Sequence, residues 1–230
     1  MRAPVSIVIP TLDAADDLPP TLAALGEGLE AGLIRELIIS DGGSRDATRA
    51  IAEAAGAVWV EGPPGRGGQL ARGAATAGGE WLLFLHADTQ LAPGWTQAAV
   101  AHMRHHAGKA GWFRLRFRAR GPAPRIVAGW ANLRSRLFGL PYGDQGLLIS
   151  RALYGSVGGF PAIPLMEDVA LARTLGRGRL RALDAEALTS AARYEAEGWL
   201  RRGARNLSTL LSFLLGTDAE SLARRYAARR

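Results

Sequence analysis

The feature that most constrains this chain is an alternation near its start. Four short apolar runs, Val5 to Pro10, Glu36 to Ser40, Ala57 to Val60 and Trp81 to Leu85, are separated by stretches with helical spacing. Runs of that length, bounded by Pro, Gly and Asp, predict buried strands. Leu18, Leu22, Leu25 and Leu29 follow one another at steps of four, three and four, which predicts a helix between the first two strands. A second helix is expected from about Ala47 to Ala55, capped by Asp46 or Ser44, and a third from about Gln69 to Ala77. Strand and helix in alternation predict an α/β fold with a mostly parallel sheet covered on both faces. In such sheets ligands gather beyond the C-terminal strand ends. Asp41 and Asp88 both fall there.

The second half is less regular. Phe113, Leu115 and Phe117 alternate with Arg114, Arg116 and Arg118, which predicts a strand with one apolar and one basic face. Ile126, Val127, Trp130, Leu133 and Leu137 share one face of a helix. A glycine-rich turn, Tyr142-Gly143-Asp144-Gln145-Gly146, leads into the strand Leu147 to Ile149, Met166-Glu167-Asp168-Val169 opens a further helix, and Leu200 to about Arg229 is largely helical. No internal repeat or low-complexity tract interrupts this pattern.

Composition narrows the chemistry. With no cysteine, the 230 residues hold neither a disulfide nor a thiolate metal site. A net charge of +7 invites acidic partners such as nucleic acid, anionic lipid or phosphorylated small molecules, although arginine-rich composition alone also accounts for it. Met1 to Ile7 carries no signal-peptide pattern, and the apolar stretch Leu207 to Leu215 falls short of the roughly 20 residues a spanning helix needs. A cytoplasmic protein is expected, or one peripheral to the inner membrane face.

Three acidic positions are candidates for chemistry. Asp88, after a buried strand, could hold a hard divalent cation bridging to phosphate oxygens, or simply cap its turn. Asp41 precedes two glycines that let a ligand approach the backbone, and it could accept a hydrogen bond from a base or ribose, or form an ordinary Asp-Gly turn. Arg66 and Gln69 offer donors suited to phosphate, although no Gly-Lys-Ser/Thr makes this a Walker loop. The Glu167-Asp168 pair stands where a helix start favours negative charge, as a general base for an acceptor or as a plain acidic first turn.

Read together, these segments resemble the family 2 glycosyltransferases of the GT-A fold, from Val5 to about Arg193. Ser6 to Thr11 looks like the family's opening strand, Ile39 to Thr48 like its nucleotide-binding turn, Phe84 to Thr89 like the place of its metal-binding Asp-x-Asp, and Met166 to Val169 like its Glu-Asp pair. The resemblance implies a Rossmann-like, mostly parallel sheet flanked by helices over residues 1–195. A helical C-terminal extension, 196–230, would pack on that domain or on a partner. It implies an inverting enzyme that moves a sugar from a nucleotide diphosphate sugar, UDP-linked by preference, to a small-molecule or lipid-linked acceptor. Mn2+ or Mg2+ would sit on Asp88. Asp168 would be the base with Glu167 beside it. Pro10, Thr11, Asp13, Asp41, Gly43, Arg66, Gln69, His86, Ala87 and Arg193 would line the donor. Apart from the resemblance, Asp144 and Gln145 stand in a glycine-bounded turn that would either bind the acceptor or simply connect two elements. A narrower likeness, carried by Gly65 to Gln69, His86 to Thr89 and Pro141 to Gly146, is to a small bacterial subgroup labelled for arsenosugar biosynthesis and associated with radical-SAM genes.

Departures from the family pattern are visible. His86 stands where the first aspartate of the metal motif would be, Ala14 replaces a frequent glutamate, and Ala71 replaces a frequent asparagine. The Gln-x-x-Arg-Trp motif of processive relatives is absent from the sequence. Two other classes are weighed against this reading. One is an anion- or nucleic-acid-binding module on the Arg114, Arg116 and Arg118 face, which lacks interleaved aromatics. The other is a nucleotidyltransferase, which would favour a glycine- and lysine-rich loop where Pro10 to Asp13 stand. The basic C-terminal segment is expected to contact the catalytic domain, a second copy or a membrane surface, and no nucleic-acid partner is expected.

Overall fold

The computed structural model describes residues 3–227, with side chains described as far as 225. Eight strands form one sheet in the order β3-β2-β1-β4-β7-β6-β8-β5. Its parallel half is β1 (Val5–Thr11), β2 (Ile34–Asp41), β3 (Val58–Glu61) and β4 (Trp81–Phe84). The other half holds β5 (Thr89–Leu91), β6 (Ala110–Phe117), β7 (Leu147–Ser150) and β8 (Leu180–Thr189). There β7 runs antiparallel to β4 and β6, β6 and β8 are parallel, and β5 is antiparallel to β8. This is the GT-A arrangement that the resemblance implies, and its parallel half is the one the alternating pattern predicts. Strand β1 is buried on both faces, with Val5, Ile7 and Ile9 packing into one cluster and Val8 into another, which is why its sequence is nearly continuously apolar.

Helices α1 (Leu18–Ala24), α2 (Gly26–Glu30), α3 (Thr48–Ala54) and α4 (Arg66–Thr76) connect the first four strands, and α5 (Trp95–His105) leads from β5 to β6. The single helix expected across Leu18 to Leu29 is broken into two at Leu25, and Leu29 faces solvent. The N-cap of α3 is Ala47, whose side chain cannot cap; Asp46, one residue earlier, accepts from Thr48 N at 2.9 Å, and Ser44 turns toward Asp41. Helix α4 begins three residues earlier than expected. It lies tight on the sheet because Gly73 faces Val8, where a Cβ would collide with the valine methyl.

The later helices are α6 (Pro122–Phe138), α7 (Arg151–Ser156), α8 (Glu167–Leu175), α9 (Ala192–Glu197), α10 (Trp199–Leu214) and α11 (Ala219–Ala227). Single 3-10 turns cover Gly143–Gln145 and Arg177–Arg179. The end of the expected C-terminal helical stretch lies outside the described residues. The apolar stripe of α6 exists, but it points away from the core. Pro124, Ala128, Ala131 and Ser135 are buried, whereas Ile126, Trp130, Leu133 and Leu137 are exposed. The basic face of β6 is also not what its sequence suggests. Arg114 pairs with Asp184 at 3.4 Å and Arg116 with Glu186 at 3.1 Å, both on β8. Strand β8 had no sequence expectation, and its carboxylates remove the isolated basic ladder that a nucleic-acid surface would need.

Candidate active site

Two loops build the nucleotide side. Thr11 and Asp41 are register partners at the ends of β1 and β2, so the loops that follow start side by side. Asp41 is only 1% exposed. Its Oδ1 accepts from the hydroxyls of Thr11 and Ser44, and its Oδ2 accepts from Gly43 N and Ser44 N, both at 2.7 Å. Burial alone would raise its pKa, but the hydrogen bonds from Ser44, Thr11 and Gly43 outweigh it and hold the carboxyl below its usual range. Asp13 sits in the left-handed region at φ 48° and accepts from Arg45 N at 2.7 Å, while its own N–H donates to Ser44 Oγ at 2.8 Å. A non-glycine residue there is strained, and the lacing between the loops holds it.

Gln69 completes this clamp. Its Nε2 donates to Thr11 O at 2.6 Å and Ser40 O at 2.9 Å, and its Oε1 accepts from Gly65 N at 3.2 Å. Thr11, Asp41 and Gln69 thus hold the turn together. The neighbouring Gly67 has a packing reason: a Cβ would run into the carbonyls of Pro161 and Ile163, which lead into α8. That close approach puts Arg66, at the start of α4, 3.6 Å from Glu167 at the start of α8.

The other side is assembled around the end of β4. Leu147 of β7 is the register partner of Phe84, so the residues before Leu147 run alongside those after Phe84. Gly143 therefore meets His86 so closely that a Cβ would collide with its Nε2. Strand β5 pairs Thr89 with Thr189, which carries Ser190 and Arg193 to the edge of the same space. The outcome is a cleft of about 320 Å³, open to solvent, lined by Arg66, His86, Asp88, Asp144, Asp168 and Arg193 among others. Beside it is a narrow apolar recess of about 30 Å³ against Leu70, Phe84, Phe160 and Leu175.

The carboxylates here are poorly satisfied. Both oxygens of Glu167 and Oδ1 of Asp144 are buried without a hydrogen-bond partner, as is Nε2 of His86. Burial, reinforced by the charge of Asp168, pushes Glu167 up to about 7 against the opposing pull of Arg66. Burial also pushes Asp144 up to about 6, with Asp168 and Asp88 adding to it and Arg134 opposing it. His86 is lowered well below its usual value by burial and by Arg66 and Arg193, so its ring is neutral. Asp168 is held differently: its Oδ2 accepts from Gly143 N and its Oδ1 from Val169 N, both at 2.7 Å. Met166, just before the pair, is left-handed at φ 65°, a strained turn that sets where the two acids point.

Of the two turn residues expected to meet an acceptor, only Asp144 lines the cleft. Gln145 is 0% exposed. Its Oε1 accepts from Ser135 Oγ at 2.6 Å, and its Nε2 donates to Asn132 Oδ1 at 3.2 Å, so it pins the turn to α6. Ala87 contributes a carbonyl already taken by Thr21 Oγ1, and Pro10 sits within β1. Asp17 is a residue the sequence analysis does not single out, and Arg118, expected only on a basic strand face, lies here with its guanidinium donating to Asp88 O at 3.4 Å. Asp17, at the N-cap of α1, is raised by burial and by Asp88, with Arg118 and Arg193 opposing, which places it beside the same cluster. Its only sequence signal was an acidic position before Leu18. Tyr142, Arg202 and Asn206 also line the cleft, the last two from α10.

A divalent cation is implied by the GT-A fold, and Asp88, Asp144 and His86 line the cleft where one would be held. Oδ1 of Asp144 and Nε2 of His86 are buried and unpartnered, but Nε2 packs against Gly143. Among the described residues, no three such side chains are close enough to form a ready-made metal cluster.

No curated protein sequence matched the chain. Among solved structures, S. aureus TarS superposes with a TM-score of 0.63 at 17% identity, over 87% of this chain and 39% of its own. Glucosyl-3-phosphoglycerate synthase from Mycobacterium tuberculosis, in complex with Mn2+, UDP and glucosyl-3-phosphoglycerate, superposes with a TM-score of 0.58 at 23% identity. That match covers 81% of this chain and 70% of the synthase. The chain thus spans well under half the length of TarS and about two thirds of the synthase. The sequence model described as "Glycosyl transferase family 2" matches residues 6–140, from the first strand through the end of α6, and the chain belongs to that family.

Proposed function

We propose that the protein transfers a sugar, with inversion, from a UDP-linked donor to a hydroxyl-bearing acceptor, with Asp168 as general base. The observation that carries this reading is the convergence of Asp88, Asp144 and Asp168 with Arg66 and Arg193 on one open cleft beyond the end of β4. In this reading the laced loops around Asp41 shape the seat of the nucleotide, with Asp13 and Gly43 beside it. Arg66 and Arg193 face the diphosphate. Asp168 takes the proton of the acceptor hydroxyl as its oxygen forms the new bond to the anomeric carbon. On the opposite face the bond to the diphosphate oxygen breaks, and its electron pair leaves with UDP.

The backbone N–H groups of Gly143 and Val169 fix the Asp168 carboxylate in one orientation, and each oxygen keeps a lone pair for that proton. Glu167, raised to about 7, is largely protonated below that pH and adds little charge to repel its neighbour. Asp88, with Asp144, would hold Mn2+ or Mg2+, which when bound supplies electrostatic stabilisation to the diphosphate. The acceptor side is formed by Tyr142, Asp144, Arg202 and Asn206, fitting a small-molecule or lipid-linked acceptor.

The test is thermal denaturation of the protein with UDP, GDP, CDP and their sugars, each with and without Mn2+. UDP or a UDP-sugar should raise the melting temperature, and by more when Mn2+ is present. If no nucleotide shifts the melt, or if GDP alone does, the reading of the donor is wrong.

A further inference from the structure

Two helices on the acceptor side of the cleft carry apolar stripes that the core does not use. On α6 the exposed residues Ile126, Trp130, Leu133 and Leu137 follow one another at steps of four, three and four, a single row along the helix. On α10 the core takes Leu210, while Leu200, Leu207, Leu211 and Leu215 just beyond its end face solvent, Leu200 at 88% and Leu215 at 87%. A lone exposed leucine needs no explanation, but a row on each of two neighbours does. The helices are neighbours along much of their length. Ala128 and Ala131 of α6 share a cluster with Trp199 at the start of α10. Leu140, just past α6, shares another with Leu210. They therefore run side by side in the same direction.

The charges on these helices all have one sign. Together α6 and α10 hold six arginines and neither aspartate nor glutamate. Three arginines turn inward: Arg134 donates to Leu140 O, and Arg202 and Arg205 pair with Glu197. Arg125, Arg136 and Arg201 remain exposed beside the stripes. Exposed acids flank α10 only beyond its ends, at Glu195, Asp218 and Glu220, and the last pairs with Arg224.

Apolar rows edged by guanidiniums, with no carboxylate among them, suit a layer that is hydrocarbon within and anionic at its surface. A second copy is a poorer match. A two-fold contact through this face would set arginine against arginine, with no acid on either helix to answer them. We propose that α6 and α10 form a platform that seats the protein on an anionic bilayer, with the apolar stripes at the acyl boundary and Arg125, Arg136 and Arg201 at the lipid phosphates. Because Arg202 and Asn206 on the other side of α10 line the cleft, docking would place the cleft about one helix diameter, roughly 10 Å, from the lipid. The platform stands on exposure and charge alone, and it does not depend on the sugar-transfer reading.

The experiment is sedimentation of the full chain with phosphatidylcholine vesicles, with or without phosphatidylglycerol as about a third of the lipid. Binding is expected only to the anionic vesicles, and raising salt from about 0.05 M to about 0.5 M should weaken it about tenfold or more. Arg125→Gln, Arg136→Gln and Arg201→Gln should each weaken it about fivefold, the equivalent of about 1 kcal/mol per basic side chain near the surface. The double variant Trp130→Glu with Leu207→Glu should abolish binding while melting like the parent without lipid, since both side chains are exposed. The proposal is overturned if neither vesicle sediments the protein or if the double variant binds as the parent does. It is also overturned if sedimentation velocity shows a dimer that the double variant dissociates, which would make a second copy the occupant of this face.

Discussion

The acidic residues of the two sides of the cleft are treated in opposite ways. On the nucleotide side Asp13, Asp41 and Asp46 accept backbone N–H groups, and Asp41 takes four hydrogen bonds from its own loops. On the other side Glu167 has no hydrogen bond to either oxygen, Asp144 has none to its buried oxygen, and both are pushed upward in pKa. A carboxylate filled by four donors of its own loops, as Asp41 is, is part of the scaffold. Asp168, by contrast, accepts one backbone N–H on each oxygen and keeps a lone pair free on both. A buried carboxylate left unsatisfied costs free energy in the unliganded protein, and it is kept where a ligand or a reaction can use it. The first side is therefore built in advance, and the second is completed by what binds there.

This contrast can be broken at four points. The largest effect is expected at Asp168→Asn, whose amide oxygen can still accept from Gly143 N. Turnover should fall about 10²–10⁴-fold, the usual worth of a general base, while UDP binding stays within a few-fold. Near-parental transfer by this variant would remove Asp168 from the chemistry. Next is Asp41→Ala, which strands two hydroxyls and two N–H groups. Loss of about 3 kcal/mol of stability is expected, or about 10 °C in melting temperature. A variant that melts normally but binds no nucleotide would instead make Asp41 a direct ligand contact.

Glu167 gives a pH test. Its folded pKa, raised to about 7, lies above the ordinary carboxylate value of 4.5, so it favours the fold most below pH 4.5. That contribution is lost as pH rises through about 7. Glu167→Gln should flatten this part of the profile by on the order of 2–3 kcal/mol between pH 5 and pH 8, as read by urea denaturation. Identical profiles for parent and variant would mean that Glu167 is ionised without cost. The smallest effect on stability is expected at Asp144→Asn. Its carboxyl is also raised, so the variant should be equally stable or about 1 kcal/mol more stable at pH 8, yet lose metal-dependent nucleotide binding. A clear loss of stability would place Asp144 with the scaffold acids and erase the contrast.

The parallel half of the fold was legible because its signals are local. Strands β1, β2 and β4 are buried on both faces, so apolar runs announce them, and turn residues end each one. The second half was less so. Strand β8 alternates buried and exposed positions in a mixed sequence, and only its pairing with β5 and β6 makes it a strand. The α6 stripe had the right spacing, but spacing is the same for a face turned to the core or away from it. Gln145 and Asp144 stand next to each other in a turn that offers no periodicity, so their opposite orientations had no sequence signal.

What the sequence determined by itself is where the strands of the parallel half lie along the chain and the presence of acids at their ends, because both follow from burial and turn chemistry within a few residues. What only the tertiary structure decided is which of those acids are satisfied. That depends on donors brought from elsewhere in the chain: Thr11 reaches Asp41 from the neighbouring strand at 2.8 Å, while Arg66 comes no nearer to Glu167 than 3.6 Å. Hydrogen bonding is a short-range interaction between groups that may be distant in sequence, so the difference between scaffold and site arises only when the chain has folded.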